Sequence, residues 1–126
     1  ADARHMFRVP IFPEAALPAW VTGKNGEPVA VRAINISLTG ILVELPGGPD
    51  YDIGEHVGVR LLDPNRHIDL HLDAVVRRKD GRRYGLFFPG SMRDGDVAAT
   101  AALRGLVAEL ETGWLRRRIP DAVETD

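Results

Sequence analysis

The sequence contains no cysteine, which excludes disulfides, thiol nucleophiles and thiolate metal sites and agrees with a reducing compartment. Serine is nearly missing too, with Ser37 and Ser91 alone, and there is no Ser-His-Asp order, glycine-rich phosphate loop or paired-carboxylate motif. No apolar run approaches the roughly 18 residues of a membrane span, and the first residues carry no hydrophobic signal segment. A cytoplasmic chain without membrane insertion is therefore expected. Lysine is scarce, only Lys24 and Lys79 among 16 basic residues, and the net charge is -2. A molecule that coats nucleic acid through bulk positive charge is excluded, so any anion site has to be local.

What is abundant is arginine, the side chain whose planar fork pairs bidentately with phosphate and with guanine edges. The 126 residues, 44% of them hydrophobic, suit one domain with one core. Short segments rich in apolar and β-branched residues alternate with turn residues, as in a barrel or sandwich. Strands are predicted over 17–22, 29–36, 41–45, 56–62, 68–74 and 83–88. Asn25-Gly26 suits a type I′ hairpin between the first two. The segment 68–74 alternates Ile68, Leu70, Leu72 and Ala74 with Asp69, His71 and Asp73, the pattern of a half-buried antiparallel strand. From about Asp96 the period changes: Leu103, Leu106, Val107, Leu110 and Trp114 follow helical spacing. Asp94 or Asp96 is the expected cap, and Arg116 to Arg118 fall in the last turn, where positive charge complements the helix dipole.

Two short motifs stand out. Arg4-His5-Met6-Phe7-Arg8 precedes the first strand, and Asn35-Ile36-Ser37-Leu38-Thr39-Gly40 spans the turn between the second and third. In this order they resemble the PilZ family, whose pattern is RxxxR in an N-terminal arm followed by (D/N)xSxxG in a strand-to-strand loop. RxxxR alone says little, because Arg78 and Arg82 form another. The second half is rare: given the residue frequencies, roughly 0.02 chance matches are expected in a chain of this length. The resemblance extends over essentially the whole chain. It implies a mainly β fold: a six-stranded antiparallel (split or Greek-key) β-barrel closed by a C-terminal α-helix. Residues 1–126 would form one domain, with an arm over 1–9, the barrel over 10–92, the helix over 93–119 and a tail over 120–126.

The function implied is a receptor for cyclic di-GMP that carries out no chemistry and needs no cofactor or metal. Its ligand site would comprise Arg4, Arg8, Asn35, Ser37 and Gly40. Arg32, on the strand leading to the loop, and Arg77, entering the last hairpin, are further candidates. Arg4 and Arg8 lie where there is no apolar pattern, so a mobile arm is expected, and ordering it costs about 1 to 2 kcal/mol per residue. A bidentate guanine contact returns about 1 to 3 kcal/mol. The loop must therefore supply pre-formed contacts: the Asn35 amide and Ser37 hydroxyl as directional partners, and Gly40 where backbone or ligand approaches closely or φ is positive. Ala3 stands where many family members have a further arginine, which points to one ligand per domain. A downstream protein or neighbouring domain would read the bound state, in motility or exopolysaccharide control.

Taken singly, the same residues have plainer readings: a solvated tail for the arginines, an Asx-type turn for Asn35 and Ser37, a bulge glycine for Gly40. Two other functions compete, a ligand-independent PilZ-like adaptor and a nucleic-acid-binding barrel. Arg77, Arg78, Lys79, Arg82 and Arg83 could form a basic hairpin tip, but few aromatics accompany them as a stacking platform. His67, Asp69 and His71 share one side of a strand and are read as its solvated face, not as a metal site.

Overall fold

The computed structural model describes residues 8–12, 17–64 and 66–118 of the chain. The strands are β1 (Val9–Pro10), β2 (Ala19–Thr22), β3 (Pro28–Ile36), β4 (Gly40–Glu44), β5 (His56–Asp63), β6 (Ile68–Asp80) and β7 (Arg83–Phe87). A 3-10 turn at Pro89–Ser91 leads into the small hairpin β8 (Met92–Arg93) and β9 (Asp96–Val97), and helix α1 (Ala101–Arg118) follows. Antiparallel pairing runs β3-β2-β5-β6-β7-β4, and β4 returns to β3, so six strands close into a barrel. β1 continues the edge of β3 beyond β2, opposite Ile36 and Asn35. The expected mainly β architecture, a six-stranded antiparallel barrel with a C-terminal helix, is the one observed.

Period-two sequence patterning builds this barrel because alternate side chains of a strand point to opposite faces. Val57, Val59 and Leu61 of β5, Val21 of β2, Ile41 and Val43 of β4, and Tyr84 and Leu86 of β7 are buried inside. Burying each such side chain contributes about 1.5 to 3 kcal/mol. On β6, Ile68, Leu70 and Leu72 are half-buried against this core while Asp69, His71 and Asp73 face solvent. α1 packs across β1 and β6 through Leu103, Leu106 and Val107, which are buried, with Leu110 and Trp114 half-buried further along. Arg66, in the turn after β5, pairs with Asp63 and with Glu109 of the helix at 3.2 Å. Among the described residues no helix is long and apolar enough to cross a membrane.

Two local expectations are corrected. The connection between β2 and β3 is five residues long, with the Gly26 N–H bonded to the Gly23 carbonyl at 3.0 Å. Gly26 has φ 78° but Asn25 is not in the left-handed region, so the turn is not type I′, which needs positive φ at both central residues. Asn25 instead accepts the Glu27 N–H through its side chain at 3.1 Å, an Asx arrangement that favours the longer loop. The helix begins at Ala101, after the β8-β9 hairpin, and not near residue 93 or Asp96. Its cap is Thr100, whose Oγ1 accepts the Leu103 N–H at 3.3 Å; Asp96 is taken up in strand pairing with Arg93. Thr100→Ala is expected to lower stability by about 1 kcal/mol, whereas Asp96→Ala changes it by less than about 0.5 kcal/mol; urea denaturation of the two variants checks this.

Candidate functional site

β1 has only two residues, yet it decides where the amino-terminal arginine goes. Val9 lies opposite Ile36 and Pro10 opposite Asn35, and the Ile11 N–H donates to the Ile34 carbonyl at 2.9 Å. Val9 is itself fully buried. Arg8 is thereby held beside the β3-β4 turn, where its Nη1 donates to Asn35 Oδ1 at 3.2 Å. The part of the expected arm that carries Arg8 is thus docked on the barrel, because the apolar Val9 is buried next to it. Arg4 lies outside the described residues.

The turn itself is held from within. The Ser37 N–H donates to the Gly40 carbonyl at 2.9 Å, and Ser37 Oγ accepts the Thr39 N–H at 3.2 Å and lies 3.4 Å from the Gly40 carbonyl. Ser37 is 1% exposed, so its hydroxyl is spent on the loop's own backbone and does not face the cavity. Gly40 is required by close approach: a Cβ there would lie 2.5 Å from the Leu86 carbonyl oxygen and 3.5 Å from Arg8 Nη2. Any side chain would push apart β4 and β7, the two strands beneath the site.

Two register shifts shape the surface above those strands. Between β3 and β4, Ala33 faces Val43 and Asn35 faces Leu42, leaving Ile34 as an extra residue. Between β6 and β7, Val76 faces Leu86 and Arg78 faces Gly85, leaving Arg77 extra. A bulge places two residues of one strand opposite one of its partner and breaks the alternation. Ala33 and Ile36 both stay in the core while Asn35 is turned outward; likewise Val76 stays inside and the consecutive Arg77 and Arg78 both face out.

The outcome is a cavity of about 340 Å³ lined by Arg8, Asn35, Thr39, Leu42, Arg77 and Arg78, with Gly85, Leu86, Phe87 and Met92 completing it. Among the described residues no carboxylate is in this lining. Arg77 lies over the Phe87 ring, 4.2 Å from its centre. Burial, and then the positive charge of Arg78, lower the pKa of Arg8 from the ordinary arginine value; the guanidinium remains charged at neutral pH. Several exposed arginines elsewhere are instead paired with acids: Arg32 and Arg83 both on Glu44 at 2.8 and 3.3 Å, and Arg60 bidentate on Asp69 at 2.9 Å. The cavity combines concentrated positive charge, one directional amide and apolar patches, the equipment for a planar, anionic small molecule.

Of the residues singled out in the sequence, Arg8, Asn35 and Arg77 come together here, with Ser37 and Gly40 supporting the loop from beneath. Arg32 does not: Glu44 draws it away along the barrel wall. The basic hairpin tip does not form one patch either, since Arg82 Nη1 donates to the Pro46 carbonyl at 2.6 Å and Arg83 reaches Glu44. Asp69 is committed to Arg60, with His71 Nε2 3.3 Å from its Oδ1. Leu42, Phe87 and Met92 were missed, and Arg78 was read only as part of the basic hairpin tip. Only Gly85, a glycine inside a strand pattern, hinted at a bulge or close approach there.

The sequence model of the PilZ domain family matches residues 3–107. No curated protein matches the sequence. Among solved structures, the PilZ domain of YcgR from Escherichia coli with c-di-GMP is similar with a TM-score of 0.64 at 14% identity, covering 92% of this chain and 94% of that one. The PilZ domain of CeSA from a cellulose-synthesising bacterium gives 0.61 at 20% identity, covering 83% and 98%. The Bacillus subtilis inhibitor of motility MotI (DgrA) gives 0.58 at 21% identity, covering 90% of this chain and 49% of that one, so the chain spans about half of its length. At such identities these likenesses speak for the fold. With a family match that takes in both arginine and loop motifs and reaches into α1, the chain belongs to the PilZ domain family.

Proposed function

We propose that the chain is a receptor domain for cyclic di-GMP. The observation that carries this reading is the convergence of Arg8, Arg77 and Arg78, with Asn35, on one cavity whose described lining holds no carboxylate. Cyclic di-GMP brings two phosphate charges, which relieve the repulsion among the guanidinia, and two guanines whose O6 and N7 match an arginine fork. The Phe87 ring with Arg77 across it offers a flat surface for a purine. Arg4, the other arginine of the RxxxR motif, adds a second guanidinium from the amino-terminal segment in this reading. One cyclic di-GMP is bound per domain in this reading.

The similar structure of YcgR with c-di-GMP supports the same ligand for this family member. The bound state is read through β1. Arg8 adjoins the cavity, Val9 is buried beside it, and α1 packs on the same strand. A ligand that favours one position of the amino-terminal segment therefore shifts the population of helix positions as well, and a downstream protein or neighbouring domain reads that change. Likeness to an inhibitor of motility and to a PilZ domain from a cellulose-synthesising bacterium favours motility or exopolysaccharide control. The domain catalyses nothing in this reading.

Calorimetry with cyclic di-GMP, GTP and a short single-stranded oligonucleotide is expected to show saturable heat for cyclic di-GMP alone; equal response to the oligonucleotide rejects the assignment. Arg8→Ala and Asn35→Ala are expected to weaken binding about tenfold or more, as loss of charge-assisted and directional bonds does, with the melting temperature of the free protein nearly unchanged. Ser37→Ala behaves differently. Loss of its buried hydroxyl is expected to cost about 1 to 3 kcal/mol of stability and to weaken binding through the loop, as thermal melts alongside calorimetry would record. His71→Ala, remote from the cavity, leaves affinity as it is.

A further inference from the structure

Arg78 belongs to neither motif. It follows the extra residue of the β6 bulge and faces Gly85 across the pair of strands. A Cβ on Gly85 would lie 3.2 Å from Arg78 Cβ, 3.8 Å from its Cγ and 3.7 Å from its Nε. The side chain therefore runs flat over the glycine, along the sheet surface, and not straight out into solvent. Both ends of that arrangement line the cavity. Arg8, brought in by β1, lines it from the opposite side, next to Asn35 and Gly40.

Among the described residues, neither Arg8 nor Arg78 is in an ion pair with a carboxylate. This distinguishes them from Arg32, Arg60, Arg66 and Arg83, each of which has an acidic partner. Two guanidinia on opposite walls of a cavity without acid repel each other in the empty protein. An anionic group seated between them removes that repulsion and receives hydrogen bonds from both sides.

We infer that Arg78 is a specificity-determining ligand contact, the barrel-borne half of a phosphate clamp whose other half is Arg8. This rests on the cyclic di-GMP reading and adds a division of labour to it. The barrel presents one guanidinium already laid in place by Gly85, and the amino-terminal segment brings the other. The selected chemistry is a phosphodiester held between two walls, with the bases lying over Leu42, Phe87 and Met92.

The test is calorimetry of cyclic di-GMP with wild-type protein, Arg78→Ala, Arg78→Lys and the control Arg82→Ala, whose side chain bonds the Pro46 carbonyl. Arg78→Ala is expected to weaken binding at least about tenfold, while Arg78→Lys, which keeps a point charge adequate for phosphate, stays within about threefold of wild type. Arg82→Ala binds as wild type does, and the melting temperatures of the Arg78 variants match it. Wild-type affinity in Arg78→Ala overturns the inference while leaving the receptor reading intact. A loss in Arg78→Lys as large as in Arg78→Ala also overturns it, in favour of a bidentate contact to a guanine edge. No heat with wild-type protein rejects the receptor reading and this inference together.

Discussion

Side-chain parity governs this molecule. In a closed barrel every strand has one face in the core and one outside, and the period of two admits no intermediate. Val57, Val59 and Leu61 on β5 obey it, as do Ile41 and Val43 on β4. A polar group in a register that faces inward would be buried without partners, and an apolar one facing outward would be lost to the core. The two bulges at Ile34 and Arg77 are the places where the barrel departs from that rule. On β3 the bulge keeps Ala33 and Ile36 in the core on either side and turns Asn35 outward; on β6 it follows the last buried residue, Val76, and turns Arg77 and Arg78 outward together. The cavity lies between them, over β4 and β7, where a glycine at position 40 lets the strands approach.

Charge is distributed according to the same geometry. Along the regular parts of the wall, arginines meet carboxylates of neighbouring strands, as in the ladder of Arg32, Glu44 and Arg83. Exposed pairs of this kind add little to stability, about 0 to 1 kcal/mol each. Their consequence is to hold those arginines on the wall. At the bulges the cross-strand neighbours are Leu42 and Gly85, which offer no countercharge. Positive charge is left unbalanced there because of what faces the bulged residues, so a nearly neutral protein concentrates positive charge at one cavity.

Stability and recognition divide the loop between β3 and β4. Ser37 turns its hydroxyl into the backbone and Gly40 fits under the Leu86 carbonyl, while Asn35 alone of the three presents its side chain to the cavity and to Arg8. A motif whose residues are read together in sequence therefore has distinct physical tasks. The loop's shape comes from the buried pair, and its chemistry from the exposed amide. β1 completes the arrangement: the burial of Val9 holds Arg8 at the rim of the cavity.

The alternation of Ile68, Leu70, Leu72 and Ala74, the helical spacing from Leu103 to Trp114 and the Asn35-to-Gly40 loop were legible in the sequence, because each depends on residues a few positions apart. That local information determined the mainly β class, the closing helix and most of the core. The sides on which Asn35, Arg77 and Arg78 emerge were decided only by the tertiary structure, since a bulge exists relative to a partner strand and its position depends on register across the barrel. The fate of Arg32 depended likewise on Glu44, twelve residues away and one strand over, and the inward turn of Ser37 on the backbone closing around it. Periodicity reports which face a residue takes in an unbroken strand; where pairing breaks that period, long-range contacts alone assign the face, and in this protein the arginine-lined cavity was built there.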